Sequence, residues 1–462
     1  MPSFDAIIIG AGQAGPPLAG SLTKAGKKVA VIERKLFGGT CVNTGCIPTK
    51  TLIANAYAAQ MARRAAFYGV NIAGGFSVDM KAAKARKEEV LLKSRTAVEN
   101  GLRTMPNCTV YTGHAKFESA TTVRVGEELL ESSQIFLNVG GRATIPKLPG
   151  IDQIEYLDNS SMLEVDFLPK HLVIVGGSYI GIEFGQMYRR FGSEVTIIEK
   201  MPHLISHEDE DVSIAVEDIL KNEGINLRLD AECITFSHDE SGPIVGVDCT
   251  NGEPAVHGSH VLLAMGRTPN TDDLALDKAG VITNERGYIT VDDHLRTNVP
   301  GIFAMGDCNG KGAFTHTSYN DYEIVAANLI DKEDRKLSDR ILCYGLYCDP
   351  PLGRVGMTEA QVRAEMKKTG KPALIGTRPM TRVGRAVEKG ESQGFMKVLV
   401  DAESKQILGA SILGVGGDEA VHCILDTMYA GAPYTTITHA VHIHPTVSEL
   451  IPTIFEDLKP LK

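Results

Sequence analysis

Two cysteines stand five residues apart in Gly38-Gly39-Thr40-Cys41-Val42-Asn43-Thr44-Gly45-Cys46-Ile47-Pro48-Thr49-Lys50. On an ideal α-helix, residues at that spacing have Cα atoms roughly 8–9 Å apart, from the rise and radius of the helix. A disulfide needs less than about 7 Å. Bonding them therefore requires a distorted turn, which Gly45 can supply. Pro48 suits the first turn of a following helix, whose N-terminal dipole would point back toward Cys46. Such an environment lowers a thiol pKa and favours the thiolate. The spacing alone leaves two readings open: a redox-active pair, or two buried thiols that never pair. A second constellation lies near the C-terminus, in His439, His442 and His444. Their spacing would put His442 and His444 on one strand face, as in some metal sites.

The elements that must position these groups are written twice. Asp5-Ala6-Ile7-Ile8-Ile9 is a short apolar, β-branched run that reads as a strand. It ends in Gly10-Ala11-Gly12-Gln13-Ala14-Gly15, a helical stretch follows, and a second strand, Val29-Ala30-Val31-Ile32, ends at Glu33. The pattern recurs in Leu172-Val173-Ile174-Val175, then Gly176-Gly177-Ser178-Tyr179-Ile180-Gly181, a helix, and Val195-Thr196-Ile197-Ile198 ending at Glu199. The interval from first glycine to acid is the same in both copies. This strand–glycine turn–helix–strand–acid unit binds dinucleotides. Its glycines allow close backbone approach to a pyrophosphate, the helix N-terminus offers free N–H groups, and the acid bonds a ribose diol. Ser178 stands where the middle glycine of the second copy belongs; it is small enough to be tolerated.

Between the units, residues 51–68 and 78–102 read as helices and 108–125 as β-rich. A further α/β segment runs to about residue 266, and 280–307 read as strands and turns. From about residue 338 the pattern becomes α+β, with strand-like runs at 341–355, 394–400 and 407–415 and helices at 358–368 and 417–430.

At 462 residues the chain has room for about three domains. Lys plus Arg number 47 against 57 Asp plus Glu, a net charge of −10, which argues against a dedicated nucleic-acid binder. With 43% hydrophobic and 23% charged residues it reads as globular rather than disordered. No apolar run reaches the roughly 18 residues of a membrane span, and without a basic n-region and a separate apolar stretch no secretory signal is expected. Nine cysteines are too few for a disulfide-stapled secreted fold. The cytoplasm is the expected compartment.

Taken together, GAGQAG…VIE and GGTCVNTGCIPTK resemble the class I pyridine nucleotide–disulfide oxidoreductases, which include glutathione reductase, dihydrolipoamide dehydrogenase and mercuric reductase. Further matches are Gly266-Arg267-Thr268-Pro269-Asn270, Thr297-Asn298-Val299-Pro300-Gly301-Ile302-Phe303-Ala304-Met305-Gly306-Asp307, and His444-Pro445-Thr446-Val447-Ser448-Glu449. The resemblance covers essentially the whole chain. It implies an α/β fold of two Rossmann-like dinucleotide-binding domains, for FAD and NAD(P), with a C-terminal α+β dimerisation domain. Residues 1–150 and 271–337 would form the FAD and central parts, 151–270 the NAD(P) domain, and 338–462 the dimerisation domain.

For the site, the resemblance implies that Gly10, Gly12 and Gly15 meet the FAD pyrophosphate, that Glu33 holds the adenosine ribose, and that Asp307 holds the ribityl chain. Thr40, Lys50, Ala115 and Gly266 join the cofactor-binding set. Gly176, Tyr179, Gly181 and Glu199 would serve the nicotinamide cofactor, with Tyr179 shielding the flavin until nicotinamide displaces it. Glu199 repels a 2′-phosphate, and no arginine follows in residues 200–205, so NADH is expected over NADPH. Lys50 would pair with Glu183 beside the flavin. Cys46 would be the thiol facing the flavin and Cys41 the interchange thiol. His444 of the partner subunit, oriented by Glu449, would be acid and base for Cys41 in a homodimer. That role accounts for His444 better than a metal site does.

The acceptor is open between a disulfide, dihydrolipoamide used in the reverse sense, and a metal ion. Phe314-Thr315-His316-Thr317 and Met380-Thr381-Arg382-Val383-Gly384-Arg385-Ala386 resemble segments of mercuric-reductase-like and copper or oxidant-defence branches. The sequence ends Phe455-Glu456-Asp457-Leu458-Lys459-Pro460-Leu461-Lys462, without the terminal cysteine pair of mercuric reductases, so efficient Hg(II) turnover is not expected. A non-enzymatic alternative is a cofactor-binding sensor with a vestigial cysteine pair. Cys343 and Cys348 repeat the spacing of the first pair, but on a strand they face opposite sides and read as inert. Cys308 reads as a filler beside Asp307, and Cys108, Cys233, Cys249 and Cys423 as packing residues.

Overall fold

A computed structural model describes residues 1–247 and 253–462. Cys249 lies outside the described residues. In the first repeat, β1 (Ala6–Ile9), α1 (Gly15–Lys24) and β2 (Val29–Glu33) follow one another as the pattern requires. Then come α2 (Gly39–Asn43) and α3 (Cys46–Arg63). In the second repeat, β3 (His171–Val175) leads into α4 (Tyr179–Phe191) and β4 (Glu194–Ile198).

Each repeat builds its own parallel sheet. The first runs in the order Ile302–Ala304, Ile135–Leu137, β1, β2, Cys108–Thr112. The second runs Asn226–Arg228, β4, β3, His260–Leu263. Strands β1 to β4 are almost wholly buried, as the continuous Ile/Val runs demand of parallel strands covered on both faces. Both glycine turns therefore leave the carboxyl end of a central strand, where α/β sheets bind ligands.

Helix α5 (Thr315–Ala326) follows the strand Ile302–Ala304. Beyond it lies a six-stranded antiparallel sheet. Its order is β5 (Cys343–Leu346), β6 (Leu352–Gly356), β8 (Ile407–Leu413), β7 (Phe395–Asp401), Ala373–Pro379, Lys459–Pro460. No helix among the described residues is long and apolar enough to cross a membrane.

Several boundaries differ from the sequence pattern. The helix expected from residue 51 begins at Cys46, because Pro48 is accepted within its first turn. It ends at Arg63, and Ala65–Tyr68 form a tighter 3-10 turn. In the stretch 280–307 Ile302–Ala304 is a strand, while Thr283–Ile289 and Arg296–Phe303 make only isolated bridges. The run 341–355 splits into β5 and β6 around Pro350. Cys233 is exposed, which corrects its reading as a packing residue. Cys308 and Cys348 are buried thiols, with Cys308 donating to the Met305 carbonyl at 3.3 Å.

Candidate active site

The first glycine turn owes its shape to close backbone approach. A Cβ on Gly10 would sit 2.3 Å from the Asn138 carbonyl oxygen, and one on Gly15 would sit 2.4 Å from the Gly10 oxygen. Gly10 also has φ +103°, which other residues adopt only under strain. Glu33 is buried and closes the turn from the next strand. Its Oε2 accepts the Ala11 N–H at 2.9 Å and its Oε1 the Lys35 N–H at 2.8 Å. The second turn repeats the device, with Glu199 accepting from Gly177 N–H at 2.7 Å and Met201 N–H at 3.0 Å. A Cβ on Gly181 would lie 1.9 Å from the Gly176 oxygen, and one on Gly176 2.5 Å from the Ala264 oxygen. Ser178 has φ −97° and ψ −170°, a conformation open to any residue, so its missing glycine costs nothing there.

Each turn is also clasped by the segment that follows its acid. The Ala11 carbonyl accepts the Gly38 N–H at 2.9 Å, and the Gly177 carbonyl accepts the Ile205 N–H at 2.9 Å. In the first repeat the clasp leads directly into α2 and Cys41. A Cβ on Gly39 would lie 2.8 Å from the Gly12 Cα.

Cys41 sits on α2, and Cys46 is the first residue of α3. Gly45 makes the intervening bend; a Cβ there would be 2.9 Å from the Thr40 carbonyl oxygen. Both cysteines are thiols. The Cys41 S–H is donated to the Cys46 sulfur, which holds Cys46 down at about 6 despite its burial. The Thr315 hydroxyl, 3.2 Å from the Cys46 sulfur, and the Lys50 ammonium add to the effect. Cys41 moves the other way. The bond it donates to Cys46, together with burial, pushes its thiol well above the ordinary range. The two shifts run in opposite directions, drawing Cys46 toward the thiolate and holding Cys41 toward the thiol. The Cys46 sulfur lies at the N-terminal ends of both α3 and α5, where helix dipoles favour an anion.

Lys50, one turn along α3, forms a two-oxygen ion pair with Glu183 at 2.7 and 2.8 Å. Its ammonium also lies 4.5 Å from the centre of the Tyr347 ring. Glu183 sits on α4 one turn after Tyr179 and further accepts the Tyr347 N–H at 3.1 Å. The Tyr179 ring meets Phe314 edge-on at 6.0 Å and Tyr344 at 5.7 Å.

Asp307 lies 3.5 Å from Arg267. Burial raises its carboxyl and Arg267 opposes the rise. Arg267 also donates to the Gly141 carbonyl at 2.6 Å and reaches Thr40 at 3.5 Å, joining Gly266, Asp307 and the cysteine helix. Ala115 is buried at the start of the strand Ala115–Ser119, and the Gly113 N–H donated to the Glu33 carbonyl brings that segment beside the acid.

His444 is highly exposed, with its Nδ1 2.8 Å from Glu449 Oε2. Val441 and Ile443 beside it are among the most exposed apolar residues. The histidines do not share a site: His442 bonds the Ala440 carbonyl, and His444 bonds Glu449.

Three contributors escaped the sequence. Thr315 touches the thiolate, Arg267 faces Asp307, and Asn138 lies beneath the first turn. With its amide oxygen turned toward the turn, Asn138 accepts from Gly15 N–H at 2.8 Å and Gly12 N–H at 3.3 Å. Thr315 and Arg267 lie inside quoted motifs but carry no signal of contact; Asn138 marks the end of the strand Ile135–Leu137. A Thr315→Ala variant is expected to raise the Cys46 pKa by about one unit, since it removes a hydrogen bond to the charged form. Alkylation rate against pH measures it; an unmoved midpoint would show the hydroxyl contributes nothing.

The glycine cradles and the acids that close them fit two dinucleotides, and the comparisons agree. The pyridine nucleotide-disulphide oxidoreductase family model matches residues 4–321, and the family's dimerisation domain matches 343–454. The probable pyridine nucleotide-disulfide oxidoreductase RclA of Escherichia coli is 36% identical, over 99% of this chain and 100% of its own. A dihydrolipoyl dehydrogenase of Chlamydia muridarum is 32% identical over 97% and 95%. A structure of the HOCl-induced flavoprotein disulfide reductase RclA from E. coli, as its Cu(II) complex, aligns with a TM-score of 0.88 at 35% identity, covering 99% of each chain. The chain belongs to the class I pyridine nucleotide-disulfide oxidoreductases, flavoprotein enzymes that use FAD and a pyridine nucleotide.

Proposed function

We propose that the protein passes electrons from NADH to the Cys41–Cys46 pair and from there to a disulfide or metal-ion acceptor. The observation that carries this is the placing of the pair: Cys46 opens one helix beside the start of another and is held by the Thr315 hydroxyl at 3.2 Å, with Cys41 one bend away on the preceding helix. Residues 1–150 and 271–337 would hold FAD and 151–270 the nicotinamide cofactor, with 338–462 forming a cytoplasmic homodimer's interface.

FAD, when bound, supplies two-electron exchange between nicotinamide and the cysteines. Gly10, Gly12, Gly15, Glu33, Thr40, Ala115, Gly266 and Asp307 bind and orient it. Lys50, neutralised by Glu183 on one side, leaves its charge facing Cys46. Tyr179 covers the nicotinamide position until the dinucleotide arrives at Gly176, Gly181 and Glu199.

The acceptor half begins at Cys41. Because it keeps its proton, it cannot attack until a base takes that proton. His444 of the partner subunit, steered by Glu449, is that base. For a disulfide acceptor, the Cys41 sulfur bonds one acceptor sulfur and the other leaves as a thiol, protonated by the histidine. The Cys46 thiolate then attacks Cys41, re-forms the intramolecular disulfide and expels the second thiol. The sum is NADH, a proton and a disulfide giving NAD⁺ and two thiols. Once the base has taken the Cys41 proton, the two sulfurs are also a soft ligand set suited to copper. The E. coli relative's Cu(II) complex makes Cu(II) the first metal to try.

The test is NADH oxidation by the FAD-loaded protein with low-molecular-weight disulfides, Cu(II), Hg(II) and, in reverse, dihydrolipoamide with NAD⁺. Turnover of a disulfide or Cu(II) supports the proposal. Turnover confined to dihydrolipoamide favours the dehydrogenase reading, and no turnover with any acceptor favours the sensor. For the nucleotide, kcat/KM is expected to favour NADH by at least about tenfold, because a 2′-phosphate placed against Glu199 is a like-charge contact costing several kcal/mol. A ratio favouring NADPH would reject it.

A further inference from the structure

The clasp on the second glycine turn continues into a buried polar network. The Glu208 N–H is donated to the Ile205 carbonyl at 2.8 Å, one step from the Ile205 N–H held by Gly177. Glu208 is buried and accepts the Tyr344 hydroxyl. Its other oxygen has no hydrogen-bond partner and lies 3.5 Å from Arg354 on β6. Arg354 is almost fully buried and is fixed in turn by Asp209 at 2.9 Å and the Met357 carbonyl at 2.8 Å. Lys397 on β7 clamps Asp209 at 2.8 Å and Asp211 at 2.6 Å. Tyr344 thus hangs from an anchor gripped by two buried cations of the antiparallel sheet. Its ring is stacked on Phe314 at 5.4 Å and 7°, and Tyr179 packs edge-on against both rings.

We propose that Tyr344, fixed by Glu208, is a positioning residue that holds Tyr179 in its resting place and so sets the affinity of the second glycine turn for a nicotinamide dinucleotide. The inference rests on reading Tyr179 as the side chain nicotinamide displaces. For the dinucleotide to bind, Tyr179 must give up its edge contacts with the Tyr344–Phe314 stack. Apparent affinity is the intrinsic affinity multiplied by the fraction of molecules with the ring displaced, so a firmly held stack weakens binding. The Tyr344–Glu208 bond keeps the stack firm because a buried carboxylate has no water to exchange for it. The same segment carries Ile205, so the pyrophosphate turn and the nicotinamide cover are joined through Ile205, Glu208 and Tyr344.

The test is NAD⁺ binding to the oxidised, FAD-loaded protein by calorimetry, with thermal midpoints recorded alongside. Tyr344→Phe, which keeps the ring and loses the anchor, is expected to lower Kd by about three- to tenfold. In a Tyr179→Ala background the same substitution should leave Kd within about twofold, because the ring it acts through is gone. Glu208→Gln, which keeps the side chain's volume, is expected to tighten binding less and serves if Tyr344→Phe does not fold. Unchanged or weaker binding in the first background, or an equal shift in both, would overturn the inference. If Tyr179→Ala tightens binding and Tyr344→Phe does not, only the inference falls. If Tyr179→Ala itself leaves Kd unmoved, the displaced-ring reading falls and takes the inference with it.

Discussion

A Cys41→Ser variant is expected to keep NADH-driven bleaching of the flavin's visible absorbance and to lose acceptor turnover by roughly a thousandfold or more. In the proposed cycle the two halves use different sulfurs. Cys46 keeps its Thr315 hydrogen bond and the nearby Lys50 charge, a serine hydroxyl at position 41 can still donate to it, and it would stay on the electron-receiving side. The acceptor would meet Cys41, and a serine hydroxyl there offers neither a comparable nucleophile nor a sulfur that Cys46 can attack afterwards. Stopped-flow absorbance measures the first half and steady-state acceptor reduction the second. Full turnover in the variant would remove Cys41 from the mechanism.

Cys46→Ser should abolish the long-wavelength thiolate-to-flavin charge-transfer band seen on anaerobic reduction. In the unsubstituted protein that band should fade as pH falls through about 6, where the Cys46 thiolate takes up its proton. The sign follows from the shift: a lowered pKa keeps the anion present at neutral pH and loses it only in acid. The variant should also change Cys41. Its proton is retained chiefly because it bonds the Cys46 sulfur, so without that acceptor its pKa should drop toward an ordinary thiol. Alkylation of Cys41 at mildly alkaline pH should then be faster in the variant than in the reduced native protein. A band that survives, or a Cys41 that reacts no faster, would show that the charge does not reside on Cys46.

The sequence made the duplicated unit readable because a glycine turn and its acid lie within one local stretch, and their spacing is set by one strand and one helix. Glu33 and Glu199 accordingly sit where expected, each on the N–H after its first glycine. The cysteine pair and His444–Glu449 were legible for the same reason. Thr315 was not, because its hydroxyl meets Cys46 across 269 positions of chain and a threonine opening a helix announces nothing. Tyr344 and Glu208 meet across 136 positions of chain, through the packing of the antiparallel sheet on the segment behind the second turn. The start of α3 was missed because Pro48 looks like an N-terminal marker two residues late.

The Gly38–Ala11 clasp has a consequence for how the holoprotein matures. The backbone proposed to cradle one pyrophosphate is continuous, within four residues, with the backbone that aims Cys41. Bound FAD would brace this turn, and with it the bend that sets the two thiols. Flavin loading should therefore come before correct pairing of the two sulfurs. Refolding under oxidising conditions should yield more active protein when FAD is added before the oxidant than after it.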